Sequence, residues 1–435
     1  MDQPVSTSPV SPGKAAAGDK GDFTPRTVWT LAMLGIYLGF SMVDRGMLAL
    51  NLEPIKLELH ATDTEMSFAV GVAYAVFNSV AAIPLARLAD RNSRSFIMGV
   101  GFAFYSLVMA LTGLVASFGQ LLVARVALGI GEASAAGSSA LVNDLVSPGN
   151  RRKALAGLRV FSAIIVMGMM TGLGHLSEAY GWRASFFALA VPAALLVPLM
   201  LYTVYEPPHE RALGAAAPPK PTLREAWASW RRSPAFLLVL FGFALGGVTL
   251  QSNGAWAGAY MARVRGLSPS EIGMLSGLAR GPALLAGALV AGWITDRLAR
   301  RDHRWRFWVP GIMLVVGTPC EFLYLNLPSH TAFIALYLIT GMLLMGAQSC
   351  TIALMMDVSG PGLRATGLAI GLMVMGLLAD FIGPTGIGVM NDTIFASMGL
   401  EALRYSMAIV ACTAAIGGTL MIIASRYETE ETRSG

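Results

Sequence analysis

Charge is what this chain has least of. Only 13% of its 435 residues are Asp, Glu, Lys or Arg, while 55% are hydrophobic. A water-soluble domain carries about 25% charged residues, so most of this chain cannot face water. Cysteine is nearly missing. Cys320, Cys350 and Cys412 all fall in apolar stretches, with no metal-ligand spacing and no pattern for a disulfide framework. Neither a metal nor a cofactor is expected. The sequence also lacks a P-loop, a dinucleotide fingerprint, an HExxH pair and any Ser/His/Asp grouping. That excludes an ATP-driven pump on this chain and leaves no enzymatic reading. The net charge of +5 is set by membrane topology, and no nucleic-acid partner is expected.

What is present is apolar length. Twelve stretches are long enough to cross ~30 Å of hydrocarbon as helices: about 27–52, 65–87, 95–117, 119–143, 154–178, 183–205, 233–262, 270–296, 306–327, 330–356, 365–391 and 399–425. They are continuous rather than alternating in polarity, which favours helices over a barrel. Of the 31 Lys and Arg residues, 22 fall in the N-terminus and the loops on its side of the membrane, five fall on the opposite side, and Arg45, Arg125, Arg159 and Arg280 lie within spans. By the positive-inside rule both termini are cytoplasmic, in a plasma (bacterial inner) membrane.

The chain repeats itself. ARLADRNSRS (86–95) and GWITDRLARR (292–301) lie 206 residues apart, and PGNRRKALAGL (148–158) and PGLRATGLAIG (361–371) lie 213 apart. Two echoes at nearly one offset indicate six spans, a duplication and six more. The expected fold is an all-α membrane protein whose twelve transmembrane helices form two pseudo-symmetric six-helix bundles. Residues 1–24 are expected to be a disordered cytoplasmic N-terminus, 25–205 the first bundle, 206–232 a Pro-rich cytoplasmic linker, 233–425 the second bundle and 426–435 a cytoplasmic tail. Paired bundles of this kind place a substrate site at their interface and work by rocking one against the other.

These motifs resemble those of the major facilitator superfamily. The two Asp-Arg loops are similar to its signature loop after the second helix, although Ala86 stands where glycine is usual. RVALGIGEA (125–133) resembles its fourth-helix motif, and GWRASF (181–186) its turn into the sixth helix. Within the superfamily the chain looks most like the spinster-like family, through MVDRGMLALNLEPIK (42–56), GIGEASAAGSSALVNDLV (129–146) and EPP (206–208). The resemblance implies transport of an amphipathic lipid-like substrate, of the lysolipid or sphingoid class, with proton-linked or facilitated movement. The fifth-helix antiport motif is absent, since MGMMTGLGHLSEAYG (167–181) has no Gly-Pro pair.

Four charged residues inside apolar spans are the candidates for coupling. A charge at a helix centre costs at least ~2.5–3.5 kcal/mol in a membrane, so it is expected to face a partner or a water-filled path. Asp44 and Arg45 lie in the first span, Arg125 and Glu132 in the fourth. A rise of 1.5 Å per residue brings Asp44 and Arg125 to similar depth, and a spacing of seven puts Arg125 and Glu132 on one helix face. An arginine beside a carboxylate favours its ionised form, while burial favours the neutral form. A site that alternates between these environments can carry a proton. Asp44 and Glu132 are the expected carriers, and Arg45 and Arg125 their switchable partners. The competing reading is a static ion network that fixes helix packing.

For substrate contact the candidates are Arg45, Glu132, Gln251, Asn253, Trp256 and Arg280. Arg280 and Asp380 read as lone charges facing the same cavity, while Glu321, His175 and Glu178 read as interfacial. Asp90, Arg91 and Arg94, with Asp296, Arg297 and Arg300 in the second copy, are expected to clasp helix ends on the cytoplasmic face and act as a conformational gate. The expected partners are a small-molecule or lipid substrate, protons and membrane lipids, around a monomer. The alternative is a proton-coupled carrier of a small organic anion held by Arg45, Arg125 and Arg280.

Overall fold

The computed structural model describes residues 23–147, 149–206, 227, 230–360 and 362–427. The expected N-terminal segment, nearly all of the linker and most of the tail therefore lie outside the described residues. Those described are helical, with no strand among them.

The helices start where the sequence supplies caps. The helix α1 (Pro25–Leu50) begins with Thr24 accepting from the Thr27 amide and with proline at its first position, a place where a missing N–H costs nothing. A short helix, Leu52–Glu58, follows. α2 (Asp63–Ala89) opens with a capping box between Thr62 and Glu65. Next come α3 (Arg94–Thr112), α4 (Phe118–Glu132), α5 (Arg151–Tyr180) and α6 (Trp182–Thr203). Gly181 at φ 84° makes the tight corner between α5 and α6, a conformation that glycine adopts without strain. Then come α7 (Pro234–Arg263), α8 (Pro269–Ala299), α9 (Trp305–Asn326), α10 (His330–Val358), α11 (Arg364–Asp392) and α12 (Ala402–Ala424).

Eleven helices among the described residues are long and apolar enough to cross a membrane. The fourth expected stretch differs. α4 stops at Glu132, a 3₁₀ turn covers Ala133–Ala136, and a further helix runs Gly137–Leu145. The run between them is rich in small residues, and the Ser134 hydroxyl bonds back to the Gly131 carbonyl at 2.8 Å. Serine that competes for helix carbonyls in this way weakens the regular ladder.

Two features of the fold follow the sequence echo. Capping boxes at Thr62–Glu65 and Ser268–Glu271 start α2 and α8. One turn later each helix widens into a π-helical turn, Phe68–Val72 in α2 and Leu275–Ala279 in α8.

Packing falls into recognisable sets. α1 lies on α5, α3 on α6 and α2 on α4, while α7 lies on α11 and α12, α9 on α10 and α12, and α8 on α10. Between these sets, contact concentrates at one end of the molecule. α5 meets α8 mainly along Pro269–Ala279, and α11 meets α2 mainly along Asp63–Val72. Small residues permit the approach: a Cβ added to Gly174 would sit 2.9 Å from the Gly273 Cα, and one on Gly258 would sit 2.4 Å from the Ala49 carbonyl. This is the end to which α1 runs, away from Pro25.

Candidate functional site

Successive helix residues point about 100° apart, so Asp44 and Arg45 serve different surroundings. Asp44 turns into the protein and has no exposed surface, whereas 53% of the Arg45 side chain is accessible. From α4, Arg125 is 1% exposed and donates from Nη1 to both Asp44 oxygens, at 3.0 and 2.9 Å. Its Nε bonds the Ala69 carbonyl at 3.3 Å. Ala69 belongs to the π-helical turn of α2, a distortion that recurs at functional sites. Breaking such a buried pair by removing one partner costs on the order of 3–5 kcal/mol.

Tyr74 links this pair to the other two candidates. Arg45 lies over its ring at 4.5 Å from the centroid and donates to its hydroxyl at 2.5 Å. Arg125 is 5.6 Å from the same centroid. The Tyr74 hydroxyl donates to Glu132 Oε2, and Arg45 Nη2 lies 3.8 Å from that oxygen. The structure thus brings Asp44, Arg45, Arg125 and Glu132 together around one phenol, combining ion pairing with cation–π contact. Glu132 Oε1 is buried without a hydrogen-bond partner among the described residues. Sequence reasoning missed Tyr74. The repeat offset could have found it, because Tyr74 lies 206 residues before Arg280.

In the second set of helices the expectations need correction. Arg280 is not a lone charge. It is 8% exposed, donates to Asn253 Oδ1 at 2.8 Å, lies 4.4 Å from the Tyr337 ring centroid and donates to the Tyr337 hydroxyl. Asp380 accepts from Gln251 Nε2 at 2.6 Å. Glu321 is not interfacial but 2% exposed, and accepts from Asn253 Nδ2 at 2.9 Å and from the Tyr324 hydroxyl at 3.2 Å. Helix nine is apolar on either side of it, which hid its inward direction. Trp256 is fully buried, and its indole donates to the Pro384 carbonyl at 3.0 Å, an α7–α11 packing contact.

Two cavities adjoin these clusters. One of about 330 Å³ is lined by Met42, Met170, Leu250, Arg280, Tyr337 and Met345 among others. The other, of about 230 Å³, is lined by Arg45, Tyr74, Gln251 and Asp380 among others. They share Gly46, Gln251 and Gly254, so they adjoin between α1 and α7. Of the substrate candidates, Arg45, Gln251 and Arg280 line this space. Glu132 stands behind Tyr74, and Asn253 behind Arg280.

The signature-loop residues divide. The side chains of Asp90 and Arg91 lie outside the described residues. Arg94 pairs with Asp144. Asp296, Arg297 and Arg300 are exposed, and Arg297 lies 5.7 Å from the Trp293 ring centroid. Nearby, Glu206 accepts from the Arg94 and Ser95 amides at 2.9 and 3.1 Å and from the Ser93 hydroxyl at 2.6 Å. Burial opposes its charge, but these hydrogen bonds prevail and hold the carboxyl below its ordinary value.

A cluster at the opposite end was not foreseen. Arg263, 4% exposed at the end of α7, donates to Glu53 Oε2 at 3.0 and 2.6 Å and to Asp63 at 2.7 and 2.8 Å. Lys56 pairs with Asp63 at 2.5 Å. From α11, Asn391 bonds Asp63 at 2.8 Å, and Asp392 accepts from the Thr64 amide at 2.6 Å. Arg263 and Lys56 read in the sequence only as minority loop charges. Close by, hydrogen bonds from Trp182 and then Arg183 hold the Glu58 carboxyl below its usual range.

Comparison with known proteins fits this geometry. The Major Facilitator Superfamily model matches residues 34–384. An MFS-type efflux pump of Mycolicibacterium smegmatis is 28% identical over 410 residues, covering 93% of this chain and 95% of that protein. Protein spinster homolog 1 of Xenopus tropicalis is 24% identical, covering 92% and 80%. A crystal structure of a bacterial homolog to the human lysosomal transporter spinster, inward-facing and unoccupied, superposes with a TM-score of 0.81 at 21% identity over 93% of this chain and 98% of that one.

Proposed function

Since the chain belongs to the Major Facilitator Superfamily and is spinster-like, we propose that this secondary transporter moves an amphipathic, lipid-like substrate by proton-coupled alternating access. Twelve spans, counting the interrupted α4 with Gly137–Leu145, form two six-helix halves that rock about the shared cavity. Both termini face the cytoplasm of a plasma or bacterial inner membrane, and the unit is a monomer. The inter-helix locks around Arg263 then close the outer end, leaving the opposite end as the route from the cytoplasm.

The observation that carries this reading is the placement of Asp44, Arg125, Tyr74, Glu132 and Arg45 in one connected network whose last member lines the cavity. Substrate in the cavity competes for Arg45, which loosens its hold on Tyr74 and changes what faces Glu132. Protonation of Asp44 removes the charge that holds Arg125 and frees α1 to move against α4. The sequence of these two events couples proton and substrate. The lining favours an amphipathic substrate over a small organic anion. Met42, Met170, Met345 and Leu250 offer adaptable apolar surface suited to a chain, with arginine at two edges for a polar head.

The test is uptake of a panel of lysolipids, sphingoid bases and small organic acids into proteoliposomes, with and without a pH gradient. A lysolipid or sphingoid base should accumulate with the gradient, and Asp44→Asn and Glu132→Gln should abolish gradient-driven uptake while leaving exchange. Gradient dependence retained in both variants refutes the coupling. Uptake confined to small acids refutes the substrate class.

A further inference from the structure

The second half holds a buried acid that the coupling network above does not use. Glu321 on α9 has one oxygen bonded to Asn253 and Tyr324, while Oε2 is buried with no hydrogen-bond partner among the described residues. Asn253 on α7 is a two-sided connector. Its Nδ2 donates to Glu321 at 2.9 Å, and its Oδ1 accepts from Arg280 at 2.8 Å. Arg280 on α8 lines the larger cavity beside Tyr337 of α10. One amide therefore separates a cavity-lining cation from a sealed carboxylate.

Charge balance makes this arrangement responsive. With Glu321 ionised, the cluster of Arg280 and Glu321 is neutral. An anion that enters the cavity and pairs with Arg280 leaves one uncompensated negative charge in surroundings of low polarity, which is costly. A proton on Glu321 restores neutrality. Binding and protonation are then linked, and the linkage is reciprocal. The other groups around Glu321 cannot substitute in this role. Tyr324 stands on its own helix and Tyr337 on α10. The titratable side chains on α12 are Arg404, Tyr405 and Cys412; of these Arg404 pairs with Glu401, and Cys412 bonds the Ala408 carbonyl. Arg280 is the charged group that reaches the cluster, through Asn253.

We propose that Arg280 is an anion-head subsite of the cavity and that Glu321, acting through Asn253, takes up a proton when an anionic amphiphile binds there. This rests on the reading of the cavity as a substrate site, but places a second proton acceptor in the half opposite Asp44 and Glu132. Glu321 touches no substrate; it sets the charge that Arg280 presents.

The experiment is calorimetric titration of the purified full chain in nanodiscs with octanesulfonate, which stays anionic across the range, from pH 5.5 to 8.5 in buffers of different ionisation enthalpy. Octanol, with the same tail and no charge, is the control. Wild-type protein should bind octanesulfonate with net proton uptake, its affinity falling by up to about tenfold per pH unit where the linkage is fully expressed. Glu321→Gln should bind at every pH without that slope and without the uptake. Arg280→Ala should bind octanesulfonate no better than octanol, with melting temperature checked for each variant. Asn253→Ala is the second route: it keeps both ionisable groups and should flatten the slope by parting them. A Glu321→Gln variant that keeps the wild-type slope and uptake overturns the proposal, as does an Arg280→Ala variant with unchanged affinity. If Asp44→Asn removes the slope and Glu321→Gln does not, the inference fails while the coupling reading stands. If Glu321→Gln removes the slope while gradient-driven transport ignores Asp44 and Glu132, the coupling reading fails instead.

Discussion

Replacing Arg263 by Gln should open the outer end. In the wild-type chain this one side chain carries four charge-assisted hydrogen bonds from α7 to Glu53 and Asp63, and it is 4% exposed. Removing one partner of a buried ion pair costs about 3–5 kcal/mol. Lys56 remains on Asp63, and Glu53 keeps some contact with water, so the lower figure of about 3 kcal/mol applies. That energy is lost only from the state in which the outer end is shut. Every ~1.4 kcal/mol is a tenfold change in an equilibrium, so the outward-open population should rise by roughly 100-fold. The assay needs a reporter inside the cavity. Gly254 lines both cavities and has open space around its Cβ position. With Cys320, Cys350 and Cys412 replaced by Ser, Gly254→Cys reports the opening through its rate of modification by a membrane-impermeant maleimide added from outside. Arg263→Gln should raise that rate by up to ~100-fold, saturating once the open state predominates. An unchanged rate, with the variant folded and inserted, would show that the cluster does not hold the outer end and would remove the physical basis for calling it a lock.

Three more outcomes follow from the same contacts. Tyr74→Phe deletes the hydroxyl between Arg45 and Glu132 and leaves the second Glu132 oxygen without its hydrogen bond, with only Arg45 at 3.8 Å beside it; it should lower stability by about 1–3 kcal/mol in a denaturant or thermal assay, and unchanged stability would mean water replaces the phenol. Gly174→Val meets the Pro269 carbonyl and the Gly273 Cα at 2.6 and 2.9 Å from the first added carbon, so it should speed outside modification of Gly254→Cys in the same direction as the Arg263 change. Glu206 contributes stability that is present above its ordinary carboxyl value and lost as pH falls through its depressed folded-state value; the melting-temperature gap between wild type and Glu206→Gln should therefore be widest near neutrality and close in acid, and a gap that widens in acid contradicts the sign.

How much of this was legible beforehand depended on the kind of signal. Helix positions were, because span length and hydropathy are local properties; α7, expected at 233–262, spans Pro234–Arg263. The meeting of Asp44 and Arg125 was also legible, since depth and helix phase follow from residue counting. Tyr74 was not, because a tyrosine in an apolar helix carries no charge to mark it. Glu321 was misjudged because hydropathy cannot tell which way a lone acid points when every face of its helix is apolar. Trp256 escapes local reading for a related reason: its indole N–H bonds the backbone carbonyl of Pro384 on another helix, and a partner one helix away is invisible to local reasoning. The Arg263 cluster is invisible to local reading because it joins residues 210 and 200 positions apart, and loop charges by themselves report only topology.

The sequence echo bears on why the two buried clusters share backbone features but not chemistry. Capping boxes and π-helical turns recur in α2 and α8. Tyr74 stands two residues past the turn of α2, and Arg280 directly after the turn of α8. Around Tyr74 the charges come from neighbours: Arg45 and Arg125 flank its ring, and Glu132 accepts a hydrogen bond from its hydroxyl. Around Arg280 the arrangement is inverted. The charge sits on the post-turn residue itself, and aromatic groups flank it, with Tyr337 beneath and Tyr324 beyond Asn253. Each copy thus assembles arginine, tyrosine and a buried glutamate from different helices. Each leaves one carboxylate oxygen unpartnered among the described residues, Glu132 Oε1 and Glu321 Oε2. An orphaned buried carboxylate oxygen costs energy in any static scaffold. One such oxygen lies in each cluster, one residue removed from an arginine that lines a cavity, and the proposed coupling would act on these two carboxylates.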